Sequence, residues 1–295
     1  MKPAPFEYHR PSTVAETTEL LADLPDAELM AGNQSFGIIM SNRLAQPDHI
    51  VDINGVDALD YIEVGEDVVE VGAMTSHADI EHSTELAETV PMLPQAAGVI
   101  AGPAVRNRGT IGGSVGEADP AGNHGCALLA LGAELEIASA DGSRTVDVDD
   151  YFLAYMFTDL SDEELITAAR IPREPFPVDR TGMDFRVRKR AAQTWPTIGV
   201  GTAVRVDDPA ADVPRIEDVR IALANAADVP LRTADAEAEL EGEPLTEAGL
   251  VAAGEIVSDA VEPEDEMHAD ETYKRELAAE YTERSVRAAH DGALE

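Results

Sequence analysis

Cysteine occurs once in the 295 residues, at Cys126. The chain therefore forms no internal disulfide, and it cannot by itself supply the three or four thiolates of an iron–sulfur cluster. Lysine occurs only at Lys2, Lys189 and Lys274. No apolar run approaches the roughly 18 residues of a membrane span, and the opening MKPAPFEYHR lacks the apolar core of a secretion signal. These absences lead to the expectation of a cytoplasmic protein with no membrane span. Positive charge is scarce throughout: 21 Lys plus Arg stand against 58 Asp plus Glu, a formal net charge of −37. Such a body repels phosphate backbones and anionic lipid, which argues against nucleic-acid or membrane-surface binding.

What is present shows that the acid does not mean disorder. Hydrophobic residues make up 44% of the chain, enough to bury a sizeable core. Acid-rich, lysine-poor composition suits a protein of a halophile, working in molar salt. There the Debye length is about 3 Å and surface carboxylates no longer repel one another. On that reading the charge describes the solvent; the rival is an acidic face for a cationic partner.

At this length two domains are favoured over one. The N-terminal part reads as short alternating strands and helices. Thr13 caps a helix through Leu21, and Ala27–Met30 is a strand running into the loop Ala31-Gly32-Asn33-Gln34-Ser35. Strands are expected at 50–53, 68–73 and 133–139, with helices near 77–82, 92–100 and 126–131. The segment Ile171 to Pro177 holds three prolines and reads as an extended connector. Beyond it come strands at 185–188, 197–206 and 219–224, then helices around 234–240, 247–258 and 273–289. The carboxylate-dense stretch 262–271 reads as a solvated loop. No repeat or low-complexity pattern is present.

Two glycine-bearing segments carry the chemistry. The first is Ala31-Gly32-Asn33-Gln34-Ser35-Phe36-Gly37, directly after a predicted strand. The second is Arg106-Asn107-Arg108-Gly109-Thr110-Ile111-Gly112-Gly113-Ser114, continuing through Glu117-Ala118-Asp119-Pro120. Small residues let the backbone approach a ligand, and their N–H groups can converge on an anion. Neither segment is a P-loop, because no Gly-Lys-Ser/Thr follows, and neither is a G-x-G-x-x-G turn. A glycine-rich turn alone is commonly just a turn. Two of them, about 80 residues apart in one mixed domain, point to a phosphate-bearing ligand held from two sides. In a chain this acidic, neutral N–H donors are the way to hold a diphosphate. A side chain added at Gly32 or Gly112 is expected to stand where diphosphate oxygens approach.

These motifs, with Leu44-Ala45-Gln46-Pro47, Val51-Asp52-Ile53, Gly72-Ala73-Met74-Thr75-Ser76-His77 and the late segment Tyr273-Lys274-Arg275-Glu276-Leu277-Ala278, resemble one family. It is the FAD-binding medium subunit of the molybdenum hydroxylases, which includes the medium subunit of aerobic carbon monoxide dehydrogenase and the flavin subunit of xanthine dehydrogenase. The resemblance runs from Phe6 nearly to the end of the chain. It implies an α+β (mixed α/β) fold: a two-lobed PCMH-type FAD-binding domain over 1–176, with sublobes of about 1–55 and 56–176, then a smaller α+β C-terminal domain of sheet plus helices over 177–295. It implies FAD as cofactor and an oxidoreductase subunit that transfers electrons. The partners it implies are a large molybdopterin-binding subunit and a small [2Fe-2S] subunit, in a heterotrimer.

The resemblance also implies site residues. Ala31, Gly32, Asn33, Gln34, Ser35 and Phe36 would wrap the FAD diphosphate, and Thr110, Ile111, Gly112, Gly113 and Ser114 would hold the other side of the cofactor. Asn123 would accept from the adenosine ribose, Ile166 would pack against the ring system or adenine edge, and Arg186 would lie near the isoalloxazine. The chain departs from the family at several of these. Ser114 stands for the usual Asn, shorter and open to a water bridge. Asn123 stands for Asp, without the charge-assisted strength. Asn33 stands where Gly is commoner, and Asn tolerates positive φ better than most residues. Thr194 falls where relatives often have Asp.

Other residues have blander readings. His77, Asp79 and His82 look like metal ligands, but five residues put the two histidines on different helix faces; a helix start after Thr75-Ser76 explains them. Cys126 reads as a small buried hydrophobe. His124 is a weaker candidate to reach the cofactor, and Arg106 and Arg108 either serve the diphosphate or brace the loop on carboxylates. Trp195 divides evenly between a flavin neighbour and a core or interface anchor. Two rival functions stand beside the flavoprotein reading: a self-sufficient flavin oxidase of the same fold, and a scaffold that kept the fold and lost the flavin.

Overall fold

The computed structural model describes residues 2–294. The first lobe is a three-stranded parallel sheet in the order β1-β3-β2, with β1 at Glu7–His9, β2 at Ala27–Met30 and β3 at His49–Asp52. Helix α1 (Val14–Asp23) begins at Thr13, whose side chain accepts from the Glu16 N–H, while the Glu16 carboxylate reaches back to the Ser12 N–H at 2.7 Å. Leu21 of α1 joins Val51 and Ile53 in this lobe's core. After β2 the chain passes through residues 31–35 into the short helix α2 (Phe36–Ser41).

The second lobe centres on a five-stranded antiparallel sheet, order β4-β5-β10-β6-β7. Its strands are β4 (Ile62–Val64), β5 (Val68–Gly72), β6 (Glu134–Ser139), β7 (Gly142–Asp147) and β10 (Leu165–Pro172). Between β5 and β6 run six helices: α3 (His77–His82), α4 (Thr84–Thr89), α5 (Met92–Gly98), α6 (Pro103–Arg106), α7 (Ile111–Glu117) and α8 (Asn123–Leu131). Helix α9 (Val148–Tyr151) and the hairpin β8 (Phe152–Ala154) with β9 (Phe157–Thr158) fill the passage from β7 to β10. The connector expected over 171–177 starts later than its prolines imply. Ile171 pairs with Val69 and Pro172 with Val68, so both close β10, and only 173–177 is free of the sheet. Proline is tolerated there because it ends the strand.

The C-terminal sheet is an antiparallel meander, β11 (Thr181–Lys189), β12 (Pro196–Val206), β13 (Ile216–Ala224) and β14 (Leu231–Arg232), covered by α10 (Ala234–Leu240), α11 (Glu247–Ala260) and α12 (Glu271–Gly292). Residues 262–270 form a loop whose carboxylates are exposed, and Glu266 is tied to the buried Lys274 at 2.6 Å. Helix α8 lies where the two sheets meet. All nine of its residues are buried, as a helix apolar on every side must be. The Cys126 thiol donates to the Ala222 carbonyl of β13 at 3.2 Å, and the Asn225 N–H donates to Pro120 at 2.7 Å. The C-terminal sheet is thereby locked to the segment that follows the second glycine loop. No helix among the described residues is long and apolar enough to cross a membrane.

Candidate functional site

The first glycine loop leaves β2 and turns sharply into α2. Asn33 makes the turn at φ 57°, the left-handed region that asparagine enters more readily than most residues. Its side chain folds over Gly37, where a Cβ would meet Asn33 Oδ1 at 2.6 Å. Helix α2 has no side-chain cap. The backbone N–H groups of Asn33, Gln34, Ser35, Phe36 and Gly37 donate to no acceptor among the described residues. Five successive free donors form a concentrated anion-attracting edge. Asn54 steadies the loop from behind, donating to the Ala31 carbonyl at 2.8 Å and to Asp52 Oδ1 at 2.6 Å.

The second loop runs from α6 into α7. Thr110 caps α7, its hydroxyl accepting from the Gly113 N–H at 3.1 Å. Ile111 and Val115 turn into the core while Gly113 and Gly116 are exposed, so α7 presents bare backbone on its open side. Ile166, on β10, lies directly beneath: a Cβ at Gly116 would stand 3.9 Å from Ile166 Cδ1.

The fold brings the two loops into direct contact. Ser35 Oγ donates to Glu117 Oε2 at 3.0 Å, joining the start of α2 to the end of α7. A Cβ at Gly32 would overlap the Arg108 carbonyl oxygen and lie 2.7 Å from Gly109 Cα. Gly112 is likewise closed off, its Cβ position 2.6 Å from Ala73 Cβ. The expectation that these two glycines make room for a ligand is thus corrected: both make room for protein. Gly32 lets one loop pack on the other, and Gly112 lets α7 pack on the end of β5. Gly113 and Gly116 are exposed; a Cβ at Gly113 would stand 2.9 Å from Thr110 Oγ1 and 3.7 Å from Ala31 Cβ, whereas one at Gly116 would meet only Ile166 Cδ1.

Below the second loop is a buried polar pair. His124 Nε2 lies 3.0 Å from His77 Nδ1, the His77 N–H donates to the Gly109 carbonyl at 2.9 Å, and the His77 ring lies against Gly109. Burial, with Arg106 nearby, holds the His77 pKa down to about 4, and burial pushes that of His124 well below its ordinary value. Both rings are therefore neutral and support the loop from beneath. His77 and His82 do not meet; Ser76 caps α3 by accepting from the Asp79 N–H at 3.1 Å, as the helix-start reading requires. Burial raises Glu117 and Asp119 above the usual carboxylate range, though hydrogen bonds from Ser35 and from the Ala121 N–H oppose it.

The remaining candidates fall out as follows. Asn123 is buried at the first turn of α8; its amide donates to the Ala96 carbonyl at 3.0 Å, and its Oδ1 has no partner among the described residues. Arg186 stands on β11, held by Asp184 at 2.6 and 2.9 Å, and makes no hydrogen bond to either loop. Trp195 is 56% exposed in the turn before β12, which excludes the core reading. Arg106 braces its helix on Glu81 at 2.7 Å, and the exposed Arg108 reaches Asn54 at 3.5 Å. Sequence reasoning missed the Ser35–Glu117 and His77–His124 pairs, whose members are 82 and 47 residues apart; no local signal marks them.

Comparison with known proteins gives the family. Residues 4–174 match the family described as the FAD binding domain in molybdopterin dehydrogenase, and residues 184–289 match the CO dehydrogenase flavoprotein C-terminal domain. The chain is 34% identical to the carbon monoxide dehydrogenase medium chain of Hydrogenophaga pseudoflava, over 98% of each chain. It is 33% identical to the nicotine 6-hydroxylase medium subunit of Paenarthrobacter nicotinovorans, over 97% of this chain and 98% of that one. Among solved structures, a chain of the H. pseudoflava carbon monoxide dehydrogenase lacking the Mo-pyranopterin moiety superposes with a TM-score of 0.93 at 35% identity, covering 99% of both. The chain belongs to the family of FAD-binding medium subunits of the molybdenum hydroxylases, an oxidoreductase subunit whose cofactor is FAD.

Proposed function

We propose that this chain is the electron-transfer subunit of a molybdenum hydroxylase complex, partnered by a large molybdopterin-binding subunit and a small [2Fe-2S] subunit. When bound, FAD supplies the redox chemistry, taking electrons from the clusters of the small subunit and releasing them to an external acceptor. The observation that carries this reading is the run of free N–H donors from Asn33 to Gly37 beside the exposed backbone of α7. That donor set fits a diphosphate in a chain of net charge −37, where general electrostatics opposes any anion.

In this reading Ala31 to Phe36 hold the diphosphate, and Thr110 to Ser114 hold the cofactor's other side through the outward backbone of α7. Asn123 offers its unpartnered Oδ1 to the ribose, and Ile166 supplies apolar floor beneath Gly116. Arg186, oriented by Asp184, contributes positive charge on the isoalloxazine side. Burial drives the lone thiol of Cys126 up to about 12, so this chain has no thiolate for a cluster and the other redox centres belong to partners. We also assign residues 1–176 to the FAD-binding domain, with sublobes of about 1–55 and 56–176, and 177–295 to the C-terminal domain. The change of sheet after β10 supports that division. We place the complex in the cytoplasm of a halophile.

The test is the company the chain keeps. Affinity purification of the full chain from its host in molar salt is expected to bring a cysteine-rich small chain and a large chain containing molybdenum, seen by mass spectrometry and metal analysis. A chain purified alone, whose flavin a small substrate reduces directly, would establish the self-sufficient oxidase instead.

A further inference from the structure

Away from the glycine loops, three side chains with metal-ligating atoms converge on the first lobe. Strands β1 and β3 run parallel, with Glu7 opposite His49 and His9 opposite Val51. Side chains alternate along a strand, so Glu7 and His9 share one face of β1, and His49 stands beside Glu7 on that face of β3. His9 Nε2 is 3.1 Å from His49 Nδ1, and Glu7 Oε2 is 3.7 Å from the same Nδ1. All three ligand atoms lie within 4.8 Å of one another. Two nitrogens bound tetrahedrally to one zinc ion at ~2.0–2.1 Å stand about 3.3 Å apart. The imidazole pair is therefore set at the spacing of two ligands on one ion.

The rings are tilted at 46° with centroids 5.3 Å apart, so the nitrogens meet without stacking. Without an ion the same geometry is an N–H···N bond between the two rings, with the Glu7 carboxylate alongside His49 Nδ1. A cation engages all three groups. The His49 side chain is 19% exposed and that of Glu7 76%, which leaves an open side for water.

We propose that Glu7, His9 and His49 bind one divalent transition-metal ion of the zinc class through His9 Nε2, His49 Nδ1 and a Glu7 carboxylate oxygen. Two imidazoles select zinc, copper or nickel over magnesium and calcium, which prefer all-oxygen sites. The ion ties the N-terminal strand to the central strand of its sheet. On the opposite face of β1, the Tyr8 hydroxyl donates to Asp52, so the strand being tied also braces the residue that holds Asn54 behind the first loop. This site is independent of the flavin reading.

The experiment is calorimetric titration of the chelator-treated full chain with zinc sulfate near neutral pH. Molar potassium chloride and millimolar magnesium are present to occupy the surface carboxylates. The expected result is one zinc per chain, with two imidazole ligands in the zinc-edge X-ray absorption spectrum. His9→Gln and His49→Gln should each weaken binding by at least about tenfold. Should those variants fail to fold, Glu7→Gln at its exposed position must still weaken zinc binding. Zinc that magnesium displaces, or affinity unchanged in the variants, overturns the site and leaves a histidine–histidine hydrogen bond.

Discussion

Gly32→Ala perturbs the contact on which the candidate site depends. The new methyl group would overlap the Arg108 carbonyl oxygen and press on Gly109 Cα at 2.7 Å. That backbone has little room to yield. The N–H groups of Arg108 and Gly109 donate to the Val105 carbonyl at 3.0 and 2.7 Å, and the Gly109 carbonyl accepts from His77 at 2.9 Å. The buried His77 ring lies beneath. The strain must therefore go into overpacking, about 1–3 kcal/mol, or into parting the loops. A cofactor that bridges both loops registers that parting as lost affinity. At about 1.4 kcal/mol per tenfold, the same range is a loss of about 5- to 150-fold.

The assay is the quenching of FAD fluorescence on titration with the reconstituted chain in molar salt, with a thermal melt of the FAD-free protein alongside. Gly249→Ala, on α11 in the C-terminal domain, is the control, because its methyl group makes only ordinary contacts, with Thr246 Oγ1 at 3.4 Å and Leu240 Cδ2 at 3.7 Å. It also replaces a glycine within a helix, which should raise stability by about 0.5–1 kcal/mol with FAD affinity unchanged. Wild-type FAD affinity in Gly32→Ala, or an equal loss in Gly249→Ala, would refute the loop contact as the cause.

Three further outcomes are expected. Glu117→Gln keeps an acceptor for Ser35 but removes a negative charge from the cradle, so FAD should bind several-fold more tightly at neutral pH. Because burial raises the Glu117 pKa, the wild-type carboxyl gains its proton early as pH falls, and the advantage of the variant should vanish in acid; an advantage independent of pH would point to another cause. His77 titrates at about 4 in the folded chain against 6.5 unfolded. The stability its neutral ring contributes is whole above 6.5 and is lost as pH falls towards 4, in total about 3 kcal/mol. Urea melts across that window should show a smaller loss in His77→Gln, and equal slopes would remove His77 as the source. Finally, with net charge −37, melting temperature and FAD occupancy should both rise from low to molar salt as surface repulsion is screened; full occupancy and an unchanged melt at low ionic strength would show that the acid has been misread.

Elements with a local cause were legible in the sequence. Thr13 caps α1 and Ser76 caps α3, and Asn33 turns the first loop at the positive φ its side chain tolerates. Strand β10 was not legible. Its run Leu165–Pro172 is covered on both faces and shows no alternation, its partner β5 lies about 100 residues earlier, and its terminal proline imitates a linker. The site divides in the same way. Both loops announce themselves by composition, but which glycine faces a ligand and which faces protein depends on what folds against it. Gly32 and Gly112 could not be told from Gly113 and Gly116 until Arg108 and Ala73 were in place. For Trp195, divided on sequence between a flavin neighbour and a core or interface anchor, exposure removes only the core.

Electron transfer through this chain stands or falls on reduction of its bound flavin by the proposed donor. The full chain, loaded with FAD in molar salt and freed of excess cofactor, is mixed anaerobically with the chemically reduced small [2Fe-2S] subunit while the flavin absorption band is followed. The expected result is one FAD per chain and a bleaching of that band by the reduced partner. A chain that stays colourless after loading, or one whose flavin remains oxidised beside the reduced clusters, would contradict it.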